Sequence, residues 1–281
     1  VEVLAERVWR SRRDAYEAAV DELTAGHRER SRRQEKHPVF DFLFTYYSLR
    51  PGKLRRWHPG HGIALADGDE FLAMPGYVRD AAGVTVDTAA LPERQRTAVR
   101  NVHRLLKATA GRQPRLGCSG LHEWAMVYRQ PVERRHSYVP LRLGSQGTDT
   151  VVETLPMKCS HFDAFRFFTD EARPLNPIQL TRESTVDNEQ PGCLHATMDL
   201  YKWAYTLTPL TPSELLLDCF RLALAARELD MRASPYDLRS YGYQPVEIET
   251  PAGRRAYAQA QGSLAERAAP LRDRLITLSE V

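Results

Sequence analysis

The clearest periodicity in the chain lies between Pro92 and Ala110, where Val99, Val102, Leu105 and Leu106 recur at helical spacing among charges. Residues three and four apart share a helix face, so this stretch predicts an amphipathic helix. Residues 1 to about 35 read the same way. Leu4, Val8, Trp9, Ala15, Ala19, Val20 and Leu23 roughly follow a helical period, and Gly26 marks a stop. His37–Ser48 is a dense aromatic run in which Pro38 suits the first turn of a buried helix, closed by Arg50-Pro-Gly. Trp57–Gly62 is rich in turn residues, and 63–90, punctuated by Gly and Asp, predicts a small irregular region or short hairpin.

Further along, Leu121–Tyr128 reads as a helix start or a buried turn. Tyr138–Leu143 and Thr150–Leu155 are strand-like and joined by Gly144-Ser-Gln-Gly147, which predicts a hairpin. Phe162–Thr169 is aromatic-rich and 181–192 is polar and loop-like. Cys193–Tyr205 reads as helical after Pro191-Gly192, and Thr211-Pro-Ser-Glu214 opens a strongly apolar helix over Leu215–Asp230. After an irregular stretch at 231–253 comes a last helix, Arg254 to about Leu278, broken or kinked at Pro270. The pattern predicts a mainly α protein: a single large helical domain over 1–281 with a small β-hairpin element. Its helical N-terminal part covers about 1–110, and its site-bearing central and C-terminal part about 111–281.

Composition narrows the class. With 42% hydrophobic and 27% charged residues the chain has ample material for a core and is not disordered. The four cysteines contain no CxxC pair, which disfavours a disulfide framework and a structural zinc site. Charged residues from the start argue against a signal peptide, and no apolar run approaches the roughly 18 residues of a membrane helix. The expectation is a cytoplasmic protein with reduced thiols, no membrane contact and no protein partner. A net charge of +3 does not argue for nucleic acid, but its distribution changes the picture. Seven Arg or Lys and no acid fall between Arg94 and Arg115. Arg96, Arg100 and Arg104 stack on one helix side, either as a solvated face or as a phosphate-binding stripe.

The candidate chemistry comes from three cysteines that each precede a histidine followed by an acid: Cys118…His122-Glu123, Cys159…His161…Asp163 and Cys193…His195…Asp199. His, Asp and Glu bind metals and move protons, so one composite site built from three segments is the natural reading. In a metal-dependent hydrolase or non-haem oxygenase, His122, Glu123, His161 and His195 would be ligands to iron, zinc or manganese. On a helix, His195 and Asp199 share a face, which suits two ligands on one metal or a His–Asp hydrogen bond. The polar stretch 181–192 adds Asp187 and Glu189 as carboxylates able to activate water or stabilise a developing sugar cation.

Several segments carry a family likeness: His37–Ser48 with Arg56-Trp-His-Pro-Gly60, Asn188–Lys202, and Leu229–Leu238. They resemble a family of actinobacterial proteins labelled 3-methyladenine DNA glycosylase, and the likeness runs over most of the chain. The resemblance implies an enzyme of DNA repair that hydrolyses the N-glycosidic bond of an alkylated purine, in DNA or in a modified nucleoside, without a cofactor. That chemistry asks for an aromatic pocket, a carboxylate facing the sugar and a phosphate-binding surface. Asp163, Asp187 or Asp199 would then be the carboxylate, His161 or His195 the orienting group or acid, and Arg96, Arg100 and Arg104 the backbone contacts. The chain lacks the helix-hairpin-helix signature and the metal-snap pattern of the better-known alkylpurine glycosylases.

Overall fold

In the computed structural model, which describes residues 1–130, 134 and 136–280, the chain opens with a short strand, β1 (Glu2–Leu4), and a long helix, α1 (Glu6–Arg32). α1 runs on past Gly26. A helical glycine costs only about 1 kcal/mol relative to alanine, and the last turns are tied down by His27 and Arg30, whose ring Nδ1 and guanidinium lie 2.7 and 3.3 Å from Asp41 Oδ1. The aromatic run that follows is mostly turns, with only α2 (Phe42–Thr45) helical. Phe42, Phe44 and Tyr47 are buried in the core. Pro51 begins a further short helix, α3 (Pro51–Leu54), instead of closing the previous one.

The β element lies in the N-terminal half. β2 (Ile63–Leu65), β3 (Tyr77–Asp80) and β4 (Gly83–Val86) join β1 in a four-stranded sheet of order β1-β2-β4-β3. β1 pairs parallel to β2, the other pairs are antiparallel, and β3–β4 is a hairpin inside 63–90. A second hairpin does not form at 138–155. Gly144–Thr154 is a helix instead. Thr148, Thr150 and Thr154 donate their hydroxyls to carbonyls one turn back, and Val151 and Val152 are buried. Packing thus overrides a β propensity that is only weakly intrinsic.

The remaining helices build the body: α4 (Glu93–Ala110), α5 (Leu121–Ala125), α6 (Gly144–Thr154), α7 (Phe162–Phe165), α8 (Thr185–Asn188), α9 (Leu194–Thr206), α10 (Ser213–Arg232) and α11 (Pro251–Leu278). The protein is mainly α with a small sheet. α9 packs along α10 and also against α11 and α4. Every residue from Leu194 to Tyr201 is buried, so α9 is enclosed on all sides and its polar residues must find partners inside. α11 continues through Pro270 without a break. Among the described residues no helix is long and apolar enough to cross a membrane.

The sheet is pinned to the helical body through His58. Its backbone N–H donates to Ser213 Oγ, and its ring Nδ1 lies 2.8 Å from Tyr77 Oη. Burial, helped by Arg56, pushes the His58 pKa down from 6.5 to about 4. Between those values the unfolded chain takes up a proton that the folded protein refuses, so stability falls as pH drops from 6.5 towards 4. The loss amounts to about 3 kcal/mol and is complete below the folded value. Urea unfolding of the wild type and His58→Gln across this window should show the acid loss blunted in the variant. Equal pH slopes would refute the assignment to His58.

Candidate functional site

Two buried polar clusters meet around His195. The first is built on α5 and α10. Gly120, at φ +73°, turns the chain into α5, and a Cβ there would press on Ala233 and Tyr257 at 3.3 Å. All of α5 is buried. His122 Nε2 lies 2.5 Å from Asp230 Oδ1, and its Nδ1 lies 3.5 Å from Cys118 Sγ. Arg227 Nη1 donates to Asp230 Oδ2 at 2.7 Å and to Glu123 Oε1 at 2.6 Å, with its guanidinium 3.9 Å from the Phe42 ring centre. His122 and Glu123 are sequence neighbours on different helix faces. They enter one network because Asp230 and Arg227 stand one turn apart on α10.

The second cluster joins α7, α9 and the segment after α8. His161 caps α7 and accepts the Ala164 N–H at Nδ1. Asn176 holds the segment leading to it, accepting the Cys159 N–H and donating to the Cys159 carbonyl. His161 Nε2 faces Asp199 Oδ2 at 3.2 Å and Glu189 Oε2 at 3.5 Å. Tyr47 donates to Asp199 Oδ1 at 2.8 Å, and Thr109 donates to Glu189 Oε1 at 3.2 Å. Glu189 Oε2 is buried and has no hydrogen-bond partner among the described residues. Gly192 permits this placement: a Cβ there would meet the Arg115 backbone at 2.8 Å.

His195 lies between the clusters, its ring 4.5 Å from that of His122 and 5.2 Å from that of His161. The electrostatics differ along this row. Burial would lower His122, but the Asp230 carboxylate overrides it and raises the pKa well above the ordinary value. Burial and the neighbouring His122 drive His195 well below, so it is neutral. Burial also opposes a charged His161, yet Asp199 and Glu189 raise it, while the Ala164 N–H at Nδ1 works against full protonation and directs the proton to Nε2. Burial raises Glu189. Asp199 stays well below the carboxylate range because Lys202, His161 and Tyr47 outweigh its burial.

Beyond the second cluster opens a cavity of about 390 Å³. His161, Glu189 and Asp199 form its inner end, Phe162 and Trp203 its aromatic wall, and Arg104, Arg182, Lys202 and Asp163 further lining. Lys202 Nζ is 3.2 Å from Asp163 Oδ2 and 3.9 Å from Asp199 Oδ2.

Two triads bring three possible ligand atoms within 4.8 Å of one another: His122, His195 and Asp230, and His161, Glu189 and Asp199. They are not equivalent. An ion 2.0–2.1 Å from each ligand sets those ligands about 3.0–3.4 Å apart. The 3.2 and 3.5 Å separations in the second triad fit that geometry. In the first triad the 2.5 Å contact is a hydrogen bond too short for such an edge, both His122 nitrogens are engaged, and Arg227 already neutralises Asp230. The first triad is therefore a closed hydrogen-bonded chain and the second is the better cation site.

The three sequence segments do converge, with changed roles. His161, His195 and Asp199 meet at the junction, and Asp163 lines the cavity beside them. Asp187 is exposed on α8 and outside the cavity lining, whereas Glu189, two residues on, points inwards. His195 and Asp199 share a face of α9 but belong to different triads. Glu123 binds Arg227, and His122 belongs to the first triad with both ring nitrogens in hydrogen bonds. The arginine stripe is split: Arg96 and Arg100 pair with Glu93 on their own helix, and Arg104 lines the cavity. Sequence reasoning missed Arg227 and Asp230. Their signal was available, since they are charges three apart inside the apolar run of α10. Tyr47 and Lys202 had no comparable signal. No model of a known protein family matches the chain, and neither does any curated protein or solved structure.

Proposed function

We propose that the chain is a metal-dependent enzyme, a hydrolase of anionic substrates, with His161, Glu189 and Asp199 as the ligands of a divalent iron, zinc or manganese ion. One observation carries the reading: Glu189 Oε2 is a buried carboxylate oxygen without a donor, and it points at the same spot as His161 Nε2 and Asp199 Oδ2. A buried acceptor left unpaired is costly, and a cation there relieves it. The donor set of one imidazole and two carboxylates suits these first-row ions. Such an ion lowers the pKa of a bound water to about 7 and so supplies a nucleophile at neutral pH. Tyr47 orients Asp199 by donating to Oδ1, and an ion on His161 Nε2 would shift the ring proton to Nδ1 at the expense of the Ala164 N–H contact. Arg104, Arg182 and Lys202 favour a substrate with negative charge such as a phosphate ester.

The test is the metal content of purified, tag-free protein by mass spectrometry, before and after chelation and reloading with zinc, manganese or iron(II). About one ion per chain, lost in His161→Ala, is the expected result. Protein that binds none of the three ions rules the reading out.

The N-glycosidic hydrolase reading retains one specific support, the Asp199 carboxylate in a cavity walled by Phe162 and Trp203. It predicts base release from alkylated DNA in excess chelator, abolished in Asp199→Asn. Release that requires metal, or none at all, counts against it.

A further inference from the structure

We infer that Cys118 is the nucleophile of a second site, a Cys118–His122–Asp230 triad that opens on its own cavity and takes small anionic carbon electrophiles. This site is separate from the proposed metal ligands and does not depend on them. Among the four cysteines, all free thiols, Cys118 is the one with a histidine nitrogen at hydrogen-bonding distance. Cys118 Sγ, His122 Nδ1, His122 Nε2 and Asp230 Oδ1 form a continuous relay of 3.5 and 2.5 Å contacts, which Arg227 anchors at the far carboxylate oxygen. Nucleophile, base and orienting carboxylate in that order are the arrangement by which thiols are activated.

The surroundings agree with that role. Cys118 is half-buried and lines a cavity of about 330 Å³ with Lys158, Arg115, Cys159, Ser160 and Ile178. Lys158 lies against Gly117, next to the thiol, and like Arg115 is exposed. Ser119, directly after Cys118, holds φ +51°, an uncommon backbone conformation for a non-glycine residue and of the kind that gathers at functional sites. The other thiols differ: burial pushes Cys159, Cys193 and Cys219 well up and keeps them protonated. The titratable groups facing Cys118 are His122 and, behind it, Asp230, together with Cys159, Cys193 and Tyr257 from the packed segments and Lys158 and Arg115 from the cavity. The raised His122 pKa favours transfer of the thiol proton to the ring.

In the covalent step the thiolate sulfur attacks the electrophilic carbon. A C–S bond forms, the bond from carbon to the leaving group breaks, and the leaving group departs with the bonding pair. The proton taken from Cys118 passes from His122 to the leaving group or to solvent.

Iodoacetate and iodoacetamide, an anionic and a neutral electrophile, test this on the folded full chain in chelator between pH 5 and 9, read by intact mass and peptide mapping. Cys118 should be alkylated at pH 6 at least 10-fold faster than the same thiol in the denatured chain. Cys118→Ser should lose the fast phase. Lys158→Gln and Arg115→Gln, both surface changes, should slow iodoacetate about threefold and leave iodoacetamide unchanged. A Cys118 that is unreactive, or no faster at pH 6 than in the denatured chain, overturns the triad. Equal effects of the charge variants on both reagents overturn the anionic specificity. The rates are read in chelator and the metal content is measured separately, so failure of the metal reading and failure of this one are distinguishable.

Discussion

Glu189→Gln should lower divalent-cation affinity on the order of 100-fold and yet leave the metal-free protein more stable than wild type. The two effects have opposite signs because the carboxylate serves binding and not folding. In the folded chain Glu189 Oε2 is buried without a donor, and the Asp199 carboxylate nearby adds repulsion. Replacing such a group by its neutral isostere removes a buried charge, worth about 1 kcal/mol here, or roughly 2–4 °C in a chain of this size. With metal present the order should invert, since the wild type gains the free energy of binding and the variant does not. Competition titration with zinc and manganese, paired with thermal melts with and without chelator, reads both effects. A variant that is less stable without metal and binds the ions as well as wild type would show Glu189 to be structural.

Arg227→Met should cost on the order of 3–5 kcal/mol, the largest single loss of stability expected in the molecule. Arg227 is buried and bridges Glu123 and Asp230, which are themselves buried, and Asp230 also holds His122. Methionine can keep the packing over Phe42, but it deprives both carboxylates of their shared cation. The penalty is that of stranding charge and not of losing attraction. The triple variant Glu123→Gln, Arg227→Met, Asp230→Asn should therefore recover most of the loss. Urea unfolding at fixed pH measures the set. A triple variant no more stable than Arg227→Met alone would place the cost in shape, not in charge.

Periodicity made much of the architecture readable. The amphipathic pattern at 93–110, the apolar run of α10 and the opening of α9 after Pro191-Gly192 each appear where the sequence predicts them. These elements have a face or an end marked by local chemistry, and local chemistry is what a sequence displays. The errors share a different cause. Gly144–Thr154 is rich in glycine and β-branched residues and is helical because Val151 and Val152 bury themselves and its threonines bond back along the helix. Gly26 does not end α1, because Asp41, from a separate segment, anchors the turns beyond it.

For the site, the sequence by itself determined that chemistry-bearing residues cluster in three segments and that His195 and Asp199 lie on one helical face. It could not determine which partners each would find. His161 pairs with Asp199 across 38 residues and His122 with Asp230 across 108, and Tyr47 reaches Asp199 across 152. Such contacts depend on how α5, α9 and α10 pack, and no spacing along the chain encodes that. The tertiary structure alone decided that two helix-borne neighbours serve different clusters, that Glu189 and not Asp187 enters the site, and that Arg227 holds the acid end of one cluster while the carboxylates of the other line a cavity. The physical reason is burial: a carboxylate or imidazole in the interior takes its charge from whichever partner the packing brings within reach.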